Sequence, residues 1–256
     1  MARARRVKPD EELTLVEHLD ELRSRIIIVL AVLAVGIAVC FYKSDAILAY
    51  SRHALPAHLQ HTRFIQLAPL DAIMTSISIG IYGGLLLTLP VATYQLYAFI
   101  IPAFSEEYHR HMRPLILMIP ALFIAGVVFG WYLVCPPALD FLFGWNQDQF
   151  HVQLHAGSYI QFIMLTLLAM GIVFEMPAVM LVLARIGLVS SAFMRRNWRI
   201  SIVGLAVIAM LLPGVDPISF VVEFIPLLLL YGLSYFIVVA VERGRREEEP
   251  DAAPLT

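Results

Sequence analysis

The chain has 256 residues, of which 60% are apolar and only 15% charged, and its mean hydropathy is +0.79. That balance excludes an ordinary water-soluble domain and points to a protein that buries its surface in lipid and against its own helices. The net charge of −2 says little, because in such a chain local charge decides topology.

The N-terminal lead-in carries Leu15, Leu19, Leu22 and Ile26 at helical spacing, with Thr14 and Glu17 in the form of a capping box and Asp10 as an equal candidate for the cap. Glu21 precedes Arg25 by four residues, the favourable order for a helical ion pair. These features predict a cytoplasmic segment over 1–25 whose amphipathic helix lies along the inner membrane surface and runs into the first span. The first apolar run, Ile26 to Tyr42, follows a long charged segment and precedes no small-residue cleavage site, so it reads as a retained span.

Further apolar runs follow at about Ala72–Ile101, Pro114–Leu139, Tyr159–Ala184, Ile200–Leu212 and Ile218–Val241, giving about six spans in a membrane unit over 26–241. The fifth run is short for a bilayer that needs about 20 helical residues. It either thins the membrane or stops short of one face. Prolines fall inside most runs, at Pro90, Pro120, Pro136, Pro137, Pro177 and Pro226, and predict kinks. The tail over 242–256 is charged, carries two prolines, and reads as disordered.

Lys and Arg fix the orientation. With the N-terminus in the cytoplasm, the inner segments hold Arg3, Arg5, Arg6, Lys8, Arg23, Arg25, Arg110, Arg113, Arg185, Arg195, Arg196, Arg199, Arg243, Arg245 and Arg246. The outer segments hold only Lys43, Arg52 and Arg63, which completes the 18 basic residues. Both termini are therefore expected inside.

Few residues are placed to carry chemistry. Glu175 lies mid-span, where an ionised carboxylate costs several kcal/mol unless it is paired or wet, and so marks a functional path; the bland alternative is a protonated acid bonded to a carbonyl freed by Pro177. Glu223 is a second carboxylate at membrane depth, nearer the outer end, and needs a partner only if water does not reach it. Gln95 and Tyr94 read as interhelical hydrogen-bonding groups. The first inner loop, Ser105 to Arg113, sets Glu106 and Glu107 beside basic residues. It is either a solvated mixed-charge loop or a receiver for a cationic peptide. Cys40 and Cys135 read as small buried hydrophobes, although a disulfide near the outer side is geometrically open. His151 and His155 have i, i+4 spacing without a third acidic ligand, so no metal is expected. No phosphate-binding loop or Gly-x-Ser-x-Gly elbow is present, and no histidine lies within a span, which argues against an intramembrane hydrolase. No catalytic residue, cofactor or nucleic-acid partner is assigned.

Four stretches resemble the TatC family, the core receptor of the twin-arginine protein translocase. His18 to Ile26 resembles its H-L-x-E-L-R-x-R-hydrophobic lead-in. Pro90 to Pro102 is similar to its P-x-x-x-Y-Q-x-aromatic-A-F-x-x-P stretch. Phe174-Glu175-Met176-Pro177 matches its F-E-x-P, and Asp216-Pro217-Ile218-Ser219 with Ile225-Pro226 matches its last outer turn and sixth span. The resemblance implies an all-α polytopic fold of six kinked transmembrane helices, a curved, glove-like wall with short helices five and six. It implies a non-enzymatic receptor in a bacterial or archaeal cytoplasmic membrane. Such a receptor binds paired-arginine signal peptides of folded cargo on the cytoplasmic side and nucleates a complex driven by the proton-motive force. The implied partners are TatA- and TatB-like single-span proteins, membrane lipid and further copies of the chain. The implied peptide-binding residues are Glu21, Leu22, Arg23, Arg25, Phe99, Pro102, Glu106 and Glu107, with Glu175 and Gln95 as intramembrane polar groups and Asp216 at the outer turn.

The match departs from the family in places. Counted without a gap from Pro102, the family's loop glutamate falls on Tyr108, and Glu107 one residue earlier is nominated in its place. The family's outer-loop proline falls on Ala54, its T-P-P is here Pro213-Gly214-Val215, and an acid common after the sixth-span proline is Gly232. The competing reading is an ion-coupled small-molecule transporter that uses Glu175. It calls for inverted repeats, which the sequence does not show.

Overall fold

The computed structural model describes residues 15–100, 106–146, 149, 152–213 and 216–248. Helix α1 (Leu15–Tyr42) runs unbroken for 28 residues. It contains no proline, so the lead-in continues coaxially into the first span instead of lying flat on the membrane. Thr14 and Asp10, the proposed caps, fall outside the described residues.

At the opposite end from the lead-in, helix α2 (Ser44–Ser51) and a short 3₁₀ turn fold back over the spans. Helix α3 (Asp71–Ile100) starts where the Asp71 carboxylate accepts from the backbone N–H groups of Leu67 at 2.7 Å and Ala68 at 2.8 Å. It continues through Pro90, and the Thr93 hydroxyl donates back to Leu89 O at 2.9 Å.

The third span is a composite. Helix α4 (Glu106–Phe129) passes into a π-turn (Gly130–Val134) and then into α5 (Cys135–Gly144). The segment read as an inner loop over Ser105–Arg113 is helical from Glu106 onward, because α4 extends well beyond the apolar run. The π-turn closes with Cys135 N–H donating to Gly130 O, five residues back. Pro136 and Pro137 then supply no N–H, so the Tyr132 carbonyl has no helical donor in either the four- or the five-residue register.

Helices α6 (Ala156–Phe174) and α7 (Met176–Arg185) form the fourth span and are divided at Glu175. Helix α8 (Ser191–Arg196) is a short connector at the arginine-rich end. Helix α9 (Trp198–Leu211) has only 14 residues, as the short fifth apolar run predicts. Helix α10 (Pro217–Glu248) has 32, so the sixth helix is not short. Pro226 is absorbed within it, and helical backbone extends to Glu248 through the first part of the tail expected to be disordered, where the run Glu242–Glu248 is rich in helix formers.

Five of these units are long and apolar enough to cross a bilayer: 18–42, 71–99, 118–144, 156–185 and 217–243. Helix α9 is the shorter sixth. The main packing runs from α1 to α3, mutually among α3, α4 and α6, then from α7 to α10 and from α10 to α9. Only 11% of the first span's apolar window is buried, against 56% of the fourth's, so α1 forms an edge and α6–α7 the centre. Lipid replaces water around this wall, and dispersion packing at close helix contacts holds it together. One such contact is between α1 and α3. A Cβ on Gly84 would sit 2.6 Å from Ile37 Cγ1 and 2.7 Å from Ile37 N, and one on Gly36 would sit 3.2 Å from Gly84 O. Gly80 and Gly84 are four apart on that face, a small-residue pair that lets two backbones meet.

Gly84→Val is expected to destabilise the purified protein by about 2 kcal/mol or more, because the obstructing atoms are backbone. Gly204→Ala, whose added Cβ meets nothing within 4 Å, should stay within about 0.5 kcal/mol of the parent. Thermal unfolding in detergent measures both.

Candidate functional site

At the arginine-rich end, α1 and α3 meet around one guanidinium. Arg25 Nε donates to Glu21 Oε1 at 3.1 Å, and its Nη2 reaches the same oxygen. Nη1 donates to Gln95 Oε1 at 3.0 Å and Nη2 to Ala98 O at 3.0 Å. The planar fork thus spans its own helix and the next, a geometry that a lysine ammonium does not reproduce. One turn toward the N-terminus, the His18 ring stacks on Phe99 with centroids 4.2 Å apart. Both helical partners follow from the chain: Glu21 and Arg25 share a face at i, i+4, and Gln95 and Phe99 share a face of α3 at the same spacing.

The structure therefore brings together Glu21, Arg25, Gln95 and Phe99 of the residues nominated from sequence. The Glu21 and Arg25 side chains are 27% and 20% exposed. Glu21 Oε1 serves Arg25, while Oε2 makes no hydrogen bond among the described residues. Leu22 and Arg23 lie on the same turn of α1. Pro102 falls outside the described residues. Glu106 and Glu107 occupy the first turn of α4, where acidic side chains suit the helix dipole; their side chains fall outside the described residues. Sequence reasoning missed the Ala98 carbonyl, which no pattern of side chains announces, and the pairing of His18 with Phe99.

Glu175 sits at the division between α6 and α7. Its N–H donates to Ile172 O at 3.1 Å and its carbonyl accepts from Val179 N–H at 3.0 Å, so the backbone bends without losing those groups. Pro177 explains the bend, because it supplies no N–H to Val173 O. The side chain is 5% exposed, and neither carboxyl oxygen has a hydrogen-bond partner among the described residues. Thr93 and Tyr97 of α3 are the polar groups within its electrostatic reach.

At the opposite end, Asp216 Oδ1 accepts from the N–H groups of Ile218 at 3.0 Å and Ser219 at 2.8 Å and so caps α10. His155, considered as a metal ligand from its spacing, is engaged otherwise. Its Nδ1 accepts from Ser158 N–H at 3.3 Å to cap α6, and its Nε2 lies 3.2 Å from Asp71 Oδ2. His151 falls outside the described residues. Cys40 and Cys135 are buried free thiols, not a disulfide.

The family described as "TatC: Sec-independent protein translocase protein (TatC)" matches residues 17–226. The chain belongs to the TatC family. The Sec-independent protein translocase protein TatC of Koribacter versatilis (strain Ellin345) is 34% identical over 248 residues, covering 94% of this chain and 91% of that one. The TatC of Synechocystis sp. is 32% identical over 214 residues, 83% of each chain. The chloroplastic TATC of Arabidopsis thaliana is 33% identical over 225 residues, but this chain spans only 65% of its length. A crystal structure of the twin arginine translocase receptor TatC superposes with a TM-score of 0.75 at 32% identity, over 88% of this chain and 99% of that one. The same receptor in dodecyl maltoside gives 0.76 at 33% identity, over 86% and 99%. The TatC fold, a multi-pass helical membrane protein, is thus the fold of this chain.

Arg25 and Gln95 should be coupled. In a double-mutant cycle with Arg25→Lys and Gln95→Leu, read by thermal unfolding, the interaction energy is expected at about 1 kcal/mol in favour of the native pair. Additive single effects would show that the fork does not fasten α1 to α3.

Proposed function

We propose that this TatC-family protein is the receptor subunit of a twin-arginine translocase. In this reading the arginine-rich end faces the cytoplasm, both termini lie there, and the membrane is the cytoplasmic (inner) membrane of a bacterium or archaeon. The protein binds paired-arginine signal peptides of folded cargo, without catalysing a reaction, and nucleates a proton-motive-force-driven complex with TatA- and TatB-like single-span proteins and further copies of itself.

The observation that carries the reading is the guanidinium cradle at Glu21. The carboxylate already holds one arginine fork, from Arg25, through Oε1, and Oε2 remains for a second. The Ala98 carbonyl and Gln95 supply neutral acceptors beside it, and Phe99 supplies an aromatic face on which a cation is favoured. An incoming peptide arginine shares Glu21 with Arg25 or displaces it toward Gln95. The second peptide arginine is assigned to Glu107 at the start of α4, with Glu106, Leu22, Arg23 and Pro102 completing the surroundings. The apolar stretch of the signal peptide then runs along the wall toward Glu175, whose division of the fourth span supplies a polar point at mid-membrane.

Photocrosslinking from positions 21 and 107 to a signal peptide, with affinity measured in parallel, tests the assignment. A peptide with two lysines is expected to bind about tenfold more weakly than one with two arginines, the factor that about 1.4 kcal/mol of lost fork pairing makes. Equal binding would sink the model. Glu107→Gln should weaken binding and leave insertion intact; a silent Glu107→Gln beside a harmful Tyr108→Ala would move the site to Tyr108. Glu175→Ala should leave peptide binding at the cytoplasmic face in place and abolish transport in vesicles. Undiminished transport would deny Glu175 a part in the path.

A further inference from the structure

Glu223 has no exposed surface (0%), and neither of its carboxyl oxygens has a hydrogen-bond partner among the described residues. It is therefore deep, not a shallow acid that water reaches directly. Two more oxygens on the same segment share its condition: the hydroxyl of Ser219, also 0% exposed, and Oδ2 of Asp216, the oxygen not used to cap α10. Positions 216, 219 and 223 follow i, i+3, i+7 spacing and share one face. Side chains on a helix lean toward its N-terminus, so Glu223 leans toward Ser219 and Asp216, and Asp216 lies within its electrostatic reach.

What lies across from this face sharpens the point. Helix α10 packs on α5 and on the π-turn, and Cys135 at their junction is within electrostatic reach of Glu223. Just before that junction is the Tyr132 carbonyl, whose helical donors are replaced by Pro136 and Pro137. The region is thus rich in acceptors and poor in donors, and such oxygens are satisfied at membrane depth only by protons or by bound water. Helix α9 is short for a span. Its 14 residues extend about 21 Å, against a hydrocarbon core of about 30 Å. Half-buried Asp216 follows that helix at the arginine-poor end.

We propose that Asp216, Ser219 and Glu223 form a proton-binding site fed from the arginine-poor face. Water enters past Asp216, bound water links Ser219, Glu223 and the Tyr132 carbonyl, and Glu223 exchanges a proton with it. Hydronium plus the Glu223 carboxylate gives the carboxylic acid plus water, the reverse step returns the proton, and no other bond changes. The titratable groups around Glu223 are few. Helix α5 contributes the Cys135 thiol and an Asp140 that is exposed, and the π-turn contributes Tyr132, which is 64% exposed. Arg199 of α9, Arg185 of α7 and Arg195 and Arg196 of α8 all lie at the other end of their helices or of the membrane. Glu175 faces α3, on the far side of the α6–α7 packing. The proposal does not depend on peptide binding at Glu21.

The test is infrared difference spectroscopy on the full-length protein in phospholipid nanodiscs, during pH steps and on transfer to heavy water. The expected result is a carboxylic-acid C=O band that rises and falls reversibly with pH and shifts promptly in heavy water. It should be lost in Glu223→Gln, retained in Glu175→Gln, and slower to exchange in Ser219→Ala. If Glu223→Gln does not insert, Glu223→Asp replaces it and should displace the band. A Glu223 band that neither titrates nor exchanges, a titrating band that survives both Glu223 variants unchanged, or a Ser219→Ala exchange as fast as the parent's would each overturn the proposal.

Discussion

Hydrocarbon offers a polar group no partner, and most of the irregularity in this protein follows from how each polar group at membrane depth is or is not satisfied. Thr93 and Ser234 turn their hydroxyls back onto carbonyls of their own helices. Arg25 reaches across to Gln95 and the Ala98 carbonyl, so a charge near the membrane surface becomes the fastening between two spans. Glu175 and Glu223 are buried carboxyls with no hydrogen-bond partner among the described residues, a condition that the Ser219 hydroxyl and one oxygen of Asp216 share. They face different neighbours, α3 in one case and α5 with the π-turn in the other. Each carries a desolvation cost that an apolar side chain of similar volume would not.

The prolines act on the same constraint from the backbone side. Pro90 and Pro226 leave their helices continuous, whereas Pro177 coincides with the division of the fourth span and Pro136–Pro137 with the π-turn. In both of the latter cases an unpartnered carboxyl lies beside the disturbed backbone. Interruptions of the helical ladder and intramembrane acids thus occur together, at Pro177 with Glu175 and at the π-turn with Glu223.

Much of this was legible from residues alone. The six apolar runs, the short fifth helix and the division near Glu175 rest on composition and proline chemistry, which act locally. The Glu21–Arg25 pair was readable because i, i+4 spacing is itself geometry. The rest depended on tertiary packing. Nothing in the pattern of α1 says that Arg25 will find Gln95, 70 positions away, or that Gly84 will lie against Ile37. The length of α10 was underestimated because apolar counting stops at the membrane surface while the helix does not. Coaxial continuation of the lead-in was missed for the same reason: amphipathic spacing is shared by a surface helix and by the extended end of a span. The burial of Glu223 depended on the packing of α10 against α5 and the π-turn, which is not a property of its own neighbourhood in sequence.

The unbroken course of α1 has a mechanical consequence. A helix of 28 residues without a proline is a stiff rod of about 42 Å. It is clamped to α3 toward its α2 end, where Gly36 meets Gly84, Ile37 and Phe41 meet Gly80 and Cys40 meets Gly83, and this leaves an arm of about 22 Å from Gly36 to Glu21. A sideways load at Glu21 is therefore borne by the Arg25 fastening and, at the far end of that arm, by the glycine contacts. The first span is thus built as a cantilever, fixed by close backbone packing near α2 and restrained at its other end by a single side-chain fork.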